Sequence, residues 1–143
     1  SAVIAKSNNC DFMVFSDDAK YHNINPMDST ITISNSLRFA AGGTNFHSIF
    51  ERANKKYDRI IILSDMQGWI GNTTPHASFD KYKNTMGANP FVYSFDLKNY
   101  GSMQFPETNV FAIAGFSEKV FDIMKLMEQD KKALVNEVKK VVI

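Results

Sequence analysis

The chain has a single cysteine, no long apolar run and no sign of a secretory leader. Cys10 cannot form an internal disulfide, so the 143-residue sequence carries no mark of an oxidising compartment. We expect this residue to be a small buried hydrophobe. No apolar run approaches the roughly 20 residues that a membrane-spanning helix needs, and Ser1 to Cys10 turns polar too early for a signal peptide. These absences make a cytoplasmic protein the default expectation.

An excess of charge of one sign is also missing. Lys and Arg number 16 against 15 Asp and Glu, which leaves a net charge of +1, whereas general nucleic-acid binders are usually clearly basic. The sequence lacks the glycine-rich loops of nucleotide-binding proteins, because no G-x-G-x-x-G follows a strand and Gly42-Gly43 does not fit the phosphate loop. The three histidines, His22, His47 and His76, share no metal-binding spacing, and we expect them at the surface.

What the sequence does have is an alternation of strand and helix patterns, in a chain long enough for one domain over residues 1–143. The predicted strands are Asp11–Phe15, Thr30–Ile33, Arg59–Ser64, Phe91–Phe95, Val110–Ala114 and, as a short candidate, Val141–Ile143. The predicted helices cover Asn35–Ala40, Asn45–Ala53, Pro75–Met86, Val120–Met127 and Leu134–Val138, while Ser1–Ala5 has no period. This order predicts an α/β fold: a Rossmann-like, mostly parallel sheet flanked by helices, with Thr30–Ile33 as an antiparallel edge.

Two segments form a candidate metal site. Gly42-Gly43-Thr44-Asn45 places a hydroxyl on a loop just before a helix, and Ile60–Asp65 places a carboxylate at the carboxyl end of a buried strand. Open α/β sheets bind ligands at such strand ends, and hydroxyl and carboxylate oxygens suit Mg²⁺ or Mn²⁺. Thr44 and Asp65 are therefore the candidate metal ligands.

Each candidate also has a structural interpretation. Thr44 is well placed to cap the following helix, a role that can coexist with metal binding through its hydroxyl. Asp65 would be costly to bury without a partner, and a cation supplies one. Asp17 and Asp18 are interpreted as turn or capping residues rather than ligands. Trp69, four residues after Asp65, fits core packing as well as a place beside the ligand site.

These segments resemble the von Willebrand factor type A domains and, among them, the A domain at the carboxyl end of Ro autoantigen (TROVE) proteins. The Gly-Gly-Thr loop and Ile-Ile-Ile-Leu-Ser-Asp resemble the second and third metal-site motifs; Phe15–Asp18 and Ala114–Phe116 add to the likeness, which extends over about Asp11–Met127. The first motif, Asp-x-Ser-x-Ser at the end of the first strand, is absent, and Asp28-Ser29-Thr30 lacks its position. The resemblance implies that the chain begins inside the helix that follows this motif. We therefore expect an incomplete A domain from the carboxyl-terminal part of a larger protein, without the helical ring that precedes it in Ro proteins.

The resemblance implies a non-enzymatic ligand-binding domain with a partial metal-ion-dependent adhesion site. In such domains Mg²⁺ or Mn²⁺ completes its shell with an acidic group from a partner, and in Ro proteins the helical ring binds small noncoding RNA. With Thr44 and Asp65 alone, this chain is expected to bind metal weakly or not at all. The alternative is a metal-assisted hydrolase or phosphoryl-transfer enzyme, for which the sequence offers no convincing general base or nucleophile near Asp65.

The missing first strand leaves a gap in the expected sheet. In A domains it lies between the strands that correspond to Asp11–Phe15 and Arg59–Ser64. Unpaired buried backbone groups cost about 1–3 kcal/mol each, so the gap must be filled. The gap can close in one of three ways. The two strands pair directly, or an end segment such as Val141–Ile143 enters the sheet, or a second copy of the chain supplies a strand by exchange, which forms a homodimer. We expect closure within one chain slightly ahead of exchange.

Overall fold

A computed structural model describes residues 1–38, 43–64, 74–97, 108–115, 117 and 119–129. In chain order the elements are α1 (Ala2–Asn8), β1 (Met13–Phe15), β2 (Ala19–Tyr21), α2 (Thr30–Ser36), α3 (Phe46–Arg52), β3 (Arg59–Ser64), α4 (Pro75–Met86), β4 (Phe91–Asp96), β5 (Val110–Ala114) and α5 (Val120–Gln129). This confirms the predicted α/β class. The segments Leu134–Val138 and Val141–Ile143 lie outside the described residues. None of the helices described is both long and apolar enough to cross a bilayer.

Three strands form a parallel sheet in the order β3-β4-β5, and all three were predicted from their apolar runs. In the register, Ile62 lies opposite Ser94, and Ser94 lies opposite Ala112. Nearly all of β4 is buried, because it has a strand on each side and helices over both faces. Since the three strands run in one direction, their last residues meet at one edge. We call this edge, formed by Ser64, Asp96 and Ala114, the carboxyl edge.

Each face of the parallel sheet carries its own core, because successive side chains of a strand point to opposite faces. On one face Ile60 and Ile62 pack against α3 and α4, whose rings Phe50 and Phe79 lie 4.9 Å apart between centroids. On the other face Ile61 and Leu63 pack with the core residues of β4 and α5. That second core is made of Tyr93, Phe95, Val120 and Met124. Helices thus cover both faces of the sheet that ends at the carboxyl edge.

Among the described residues, the antiparallel pair is β1 with β2, and the predicted edge strand Thr30–Ile33 is wrong. That segment begins helix α2, which is capped by Ser29, whose side chain accepts a hydrogen bond from the Thr32 amide. The helix buries only Ile33, so the strand-like alternation of Thr and Ile does not reflect a half-buried sheet. The predicted helix Asn35–Ala40 does not start where expected, since Asn35 and Ser36 are the last residues of α2 and Leu37 is extended. Residues 39 and 40 lie outside the described residues.

The first residues form a helix, as the resemblance implied, although they show no apolar period. Helix α1 buries Ala2 and Ala5 and ends at Asn8, and its C-cap, Asn9, adopts the left-handed conformation. Lys6 Nζ donates a 2.6 Å hydrogen bond to a backbone carbonyl in the turn before α2, so α1 and α2 are tied together. Cys10 follows α1 and is exposed, which corrects the expectation that it is buried.

Strands β1 and β3 do not pair within the part of the chain that is described; each lies at the end of its own sheet. Direct pairing, one of the three ways in which the gap was expected to close, is therefore wrong. Side chains link the two sheets: the hydroxyls of Tyr21 and Tyr57 lie 2.8 Å apart, and Tyr57 donates to Asp11 at 2.7 Å. These hydrogen bonds hold the β1–β2 hairpin near the start of β3.

Candidate functional site

Thr44 lies in the short loop that enters α3, as the sequence predicted, but it does not cap that helix. The N-cap is Asn45, whose side-chain oxygen accepts a hydrogen bond from the His47 amide at 3.0 Å. The prediction that Thr44 is the cap is therefore wrong. Thr44 is half-buried. The Thr44 hydroxyl therefore does not serve as the N-cap of α3. Its role as a metal ligand stays a prediction.

The turn of the β1–β2 hairpin packs against this loop. The Asp17 carboxylate accepts a 2.6 Å hydrogen bond from the Gly43 amide. The Asn45 amide donates to the Ser16 carbonyl at 2.7 Å, and the Asn45 side chain donates to the Asp17 carbonyl at 3.0 Å. Asp17 and its neighbour thus contact the residues on both sides of Thr44. The sequence predicts a turn or capping role for Asp17, and its local pattern carries no signal of this long-range contact.

Asp18 supports the same arrangement from the other end of α3. Its carboxylate accepts a hydrogen bond from the Ala19 amide, which agrees with the predicted turn role, and forms a two-point ion pair with Arg52 at 2.9 Å. The hydrogen bonds from the Arg52 guanidinium hold the pKa of the Asp18 carboxyl below its usual value. Both partners are largely exposed, so this ion pair orients the hairpin more than it stabilises the fold.

The carboxyl edge of the parallel sheet includes an acidic residue, Asp96. Asp96 ends β4 opposite Ser64 of β3, and only 5% of its surface is exposed. The Asp96 carbonyl accepts a 3.0 Å hydrogen bond from the Gly115 amide, so its backbone is fixed. Asp65 follows Ser64 in the sequence but, like Trp69, lies outside the described residues. Asp96 could have been found by the signal that pointed to Asp65, namely an aspartate directly after a buried apolar run.

His47 is buried between α3 and α4 rather than at the surface, which corrects the prediction for this residue. Its Nδ1 lies 3.2 Å from the Ser78 hydroxyl, so the packing of the two helices includes a polar contact. His22 is half-buried and His76 is exposed. In the ranges that the structure describes, no three side chains of His, Cys, Asp or Glu are grouped so as to hold a metal ion.

A family model for the Ro60 von Willebrand factor A (vWA) domain matches residues 1–127. The chain belongs to the Ro60 vWA domain family. This confirms the resemblance drawn from the Gly-Gly-Thr loop and from the segment Ile-Ile-Ile-Leu-Ser-Asp. The match also extends over α1, which agrees with the helix that the resemblance implied at the start of the chain.

The fold of this Ro60 vWA domain is also similar to a solved structure. The crystal structure of the Deinococcus radiodurans Ro (RSR) protein superimposes with a TM-score of 0.63 at 20% sequence identity. The match covers 78% of this chain and 24% of the Deinococcus chain, so this chain matches only about a quarter of that protein. A comparison with curated proteins gives no match.

Proposed function

We propose that this vWA domain is a ligand-binding module, not an enzyme, within a Ro-type ribonucleoprotein, and that its carboxyl edge is the recognition surface. The observation that carries the proposal is the match of the Ro60 vWA family over residues 1–127. The geometry supports it, because the loop of Thr44 is fixed by the hairpin turn and the strand ends of the parallel sheet meet at one edge. Strand ends of open α/β sheets are where ligands bind.

Mg²⁺ or Mn²⁺ is the proposed cofactor of the intact protein, with Thr44 and Asp65 as its protein ligands. The residues fit such a cation in kind, since hydroxyl and carboxylate oxygens are its preferred donors. They do not fit it in number, because two protein ligands compete poorly with the water shell of the ion. The described residues also contain no cluster of three or more His, Cys, Asp or Glu side chains that could hold a metal ion. An acidic group from a partner protein or ligand would complete the shell.

RNA is proposed as a partner of the longer polypeptide rather than of this surface. The near-balanced charge of the chain, 16 Lys and Arg against 15 Asp and Glu, gives little general attraction for phosphate groups. Contact with a small noncoding RNA would then fall to a helical ring elsewhere in the protein. We also propose that the intact protein is located in the cytoplasm.

Homodimerisation by strand exchange is a further proposal about partners. It is supported by β1 and β3, each of which ends its own sheet while both pack near α3. An open strand edge is a ready template for another strand. Light scattering over a range of protein concentrations would give twice the chain mass if exchange occurs and the monomer mass if the gap is filled within one chain.

The experiment that tests the proposed function is titration calorimetry of the 143-residue chain with Mg²⁺ and Mn²⁺, alongside phosphatase and nuclease assays in both ions. We expect weak or no binding by this chain and no turnover. Micromolar affinity that disappears in Asp65→Ala would show that the two ligands suffice, against our expectation. Metal-dependent turnover lost in the same variant would favour the alternative, a metal-assisted hydrolase or phosphoryl-transfer enzyme.

A further inference from the structure

The hairpin turn holds the Thr44 loop on both sides of the threonine. Upstream, the Gly43 amide donates to the Asp17 carboxylate at 2.6 Å. Downstream, Asn45 donates through its backbone to Ser16 at 2.7 Å and through its side chain to the Asp17 carbonyl at 3.0 Å. Thr44 is thus the middle residue of a three-residue segment whose two ends are fixed to the same turn.

The two ends are fixed by different chemistry. The bonds of Asn45 go to backbone carbonyls, which any residue at positions 16 and 17 would offer. The bond of Gly43 depends on a side chain, since the Asp17 carboxylate reaches it across 26 positions of the sequence. Glycine has the widest choice of backbone conformations. A glycine next to Thr44 therefore needs an external contact to keep that loop in one conformation.

We propose that Asp17 is a positioning residue for Thr44: its carboxylate fixes the Gly43 amide and so presets the threonine hydroxyl for ligand binding. This inference rests on the proposed function for the ligand, but the positioning itself does not. Asp17 acts through the loop and is not a metal ligand in this scheme.

The fold has other anchors for the same helix, so the effect of Asp17 is local. Helix α3 keeps its Asn45 cap, the contact of the Phe15 and Phe46 rings at 5.5 Å, and the ion pair of Asp18 with Arg52. Removing the Asp17 carboxylate therefore frees the loop while α3 and the hairpin stay in place.

Amide hydrogen exchange measured by NMR on the 143-residue chain tests the positioning. Asp17→Ala should speed exchange of the Gly43 amide about tenfold, the factor expected for one hydrogen bond of ordinary strength, with little change in Tm. Asp17→Asn keeps an acceptor oxygen and should restore slow exchange. Asp28→Ala, at an acidic residue of another exposed turn, is the matched control. Unchanged exchange at Gly43 in Asp17→Ala, or equal acceleration in the control, would overturn the proposal.

Mn²⁺ binding to the longer polypeptide that contains this chain tests the purpose of the positioning. With Mn²⁺ alone as the probe, followed by electron paramagnetic resonance, Asp17→Ala should weaken binding about tenfold and Asp17→Asn should recover it. Faster exchange with unchanged Mn²⁺ affinity would overturn the role in ligand binding. If the wild-type protein binds no Mn²⁺, the proposed metal function fails, and the exchange result alone decides whether Asp17 holds the loop.

Discussion

The Tyr93 hydroxyl offers a quantitative test of how α5 is held on the parallel sheet. Tyr93 is fully buried, and its hydroxyl lies 3.1 Å from Glu128 Oε1 and 3.2 Å from the Met124 carbonyl of α5. Burial raises the pKa of Tyr93, so the hydroxyl remains a donor at neutral pH. Glu128 in turn accepts two hydrogen bonds from Arg59, at 2.7 and 2.5 Å. One buried hydroxyl therefore connects β4 to a charged pair that joins α5 to β3.

Tyr93→Phe removes this hydroxyl and leaves the ring in place. A typical hydrogen bond contributes about 0.5–1.5 kcal/mol, and one to a charged group somewhat more. Because the Glu128 side chain is 22% exposed, water can replace part of the interaction, and we expect a loss of about 1–2 kcal/mol. Equilibrium unfolding in urea, followed by circular dichroism, measures the loss, which corresponds to a fall in Tm of roughly 3–8 °C.

A double-mutant cycle isolates the contact between Tyr93 and Glu128. The variants Tyr93→Phe, Glu128→Ala and the pair should give a coupling free energy of about 1 kcal/mol, as neighbours that share a hydrogen bond do. Glu51→Ala, at an exposed position of α3, controls for the loss of a helical carboxylate. A change within about 0.5 kcal/mol for Tyr93→Phe, typical of uninvolved positions, together with no coupling, would show that the Tyr93 hydroxyl does not hold α5 on the sheet.

Two further predictions concern charge and capping. The hydrogen bonds from Arg59 lower the pKa of Glu128 in the folded protein. The pair therefore stabilises the fold above the ordinary carboxyl pKa, and this contribution is lost as the pH falls through the lower pKa of the folded state. The urea midpoint should therefore decline on acidification, and less steeply in Glu128→Ala; equal slopes would contradict this. Asn45→Ala removes the N-cap of α3 and should cost about 1 kcal/mol in thermal unfolding. Asn45→Asp, which keeps the capping oxygen, should recover much of that loss, and no recovery would show that the cap is not the cause.

The long elements of the fold could be predicted from the sequence because several residues agree on each. The buried runs of β3, β4 and β5 and the helix that starts at Pro75 all appear where the pattern placed them. Among the short elements, α3 and β1 have an apolar pattern and were predicted, whereas α1, α2 and β2, of seven, seven and three residues, have no pattern that predicts them. A segment of that length is marginal alone. The structure of such a segment depends on contacts with distant residues, such as the hydrogen bond of Lys6 with the turn before α2. The pattern of a few neighbouring residues cannot predict these contacts.

The candidate site was predictable as a region but not as a set of contacts. The position of Thr44 before α3 follows from the glycines and the apolar stripe of the helix. The choice of Asn45 as cap depends on the hairpin turn, 28 positions away, to which the same side chain donates. His47 gave no signal of burial, because its polar character predicts the solvent face. It is buried since α3 packs against α4, where Ser78 offers it a partner.

Asp96 bears on which class of ligand the carboxyl edge selects. It ends β4 beside the strand whose last residue, Ser64, precedes Asp65, so neighbouring strands are each associated with a carboxyl group. Carboxylate oxygens are preferred ligands of Mg²⁺ and Mn²⁺, so acidic residues associated with neighbouring strands favour a ligand that contains a divalent cation. A bound cation does not by itself distinguish recognition from phosphoryl transfer, because phosphoryl-transfer sites also hold Mg²⁺ through carboxylates. The distinction lies in a general base or nucleophile, for which the sequence near Asp65 offers no convincing candidate.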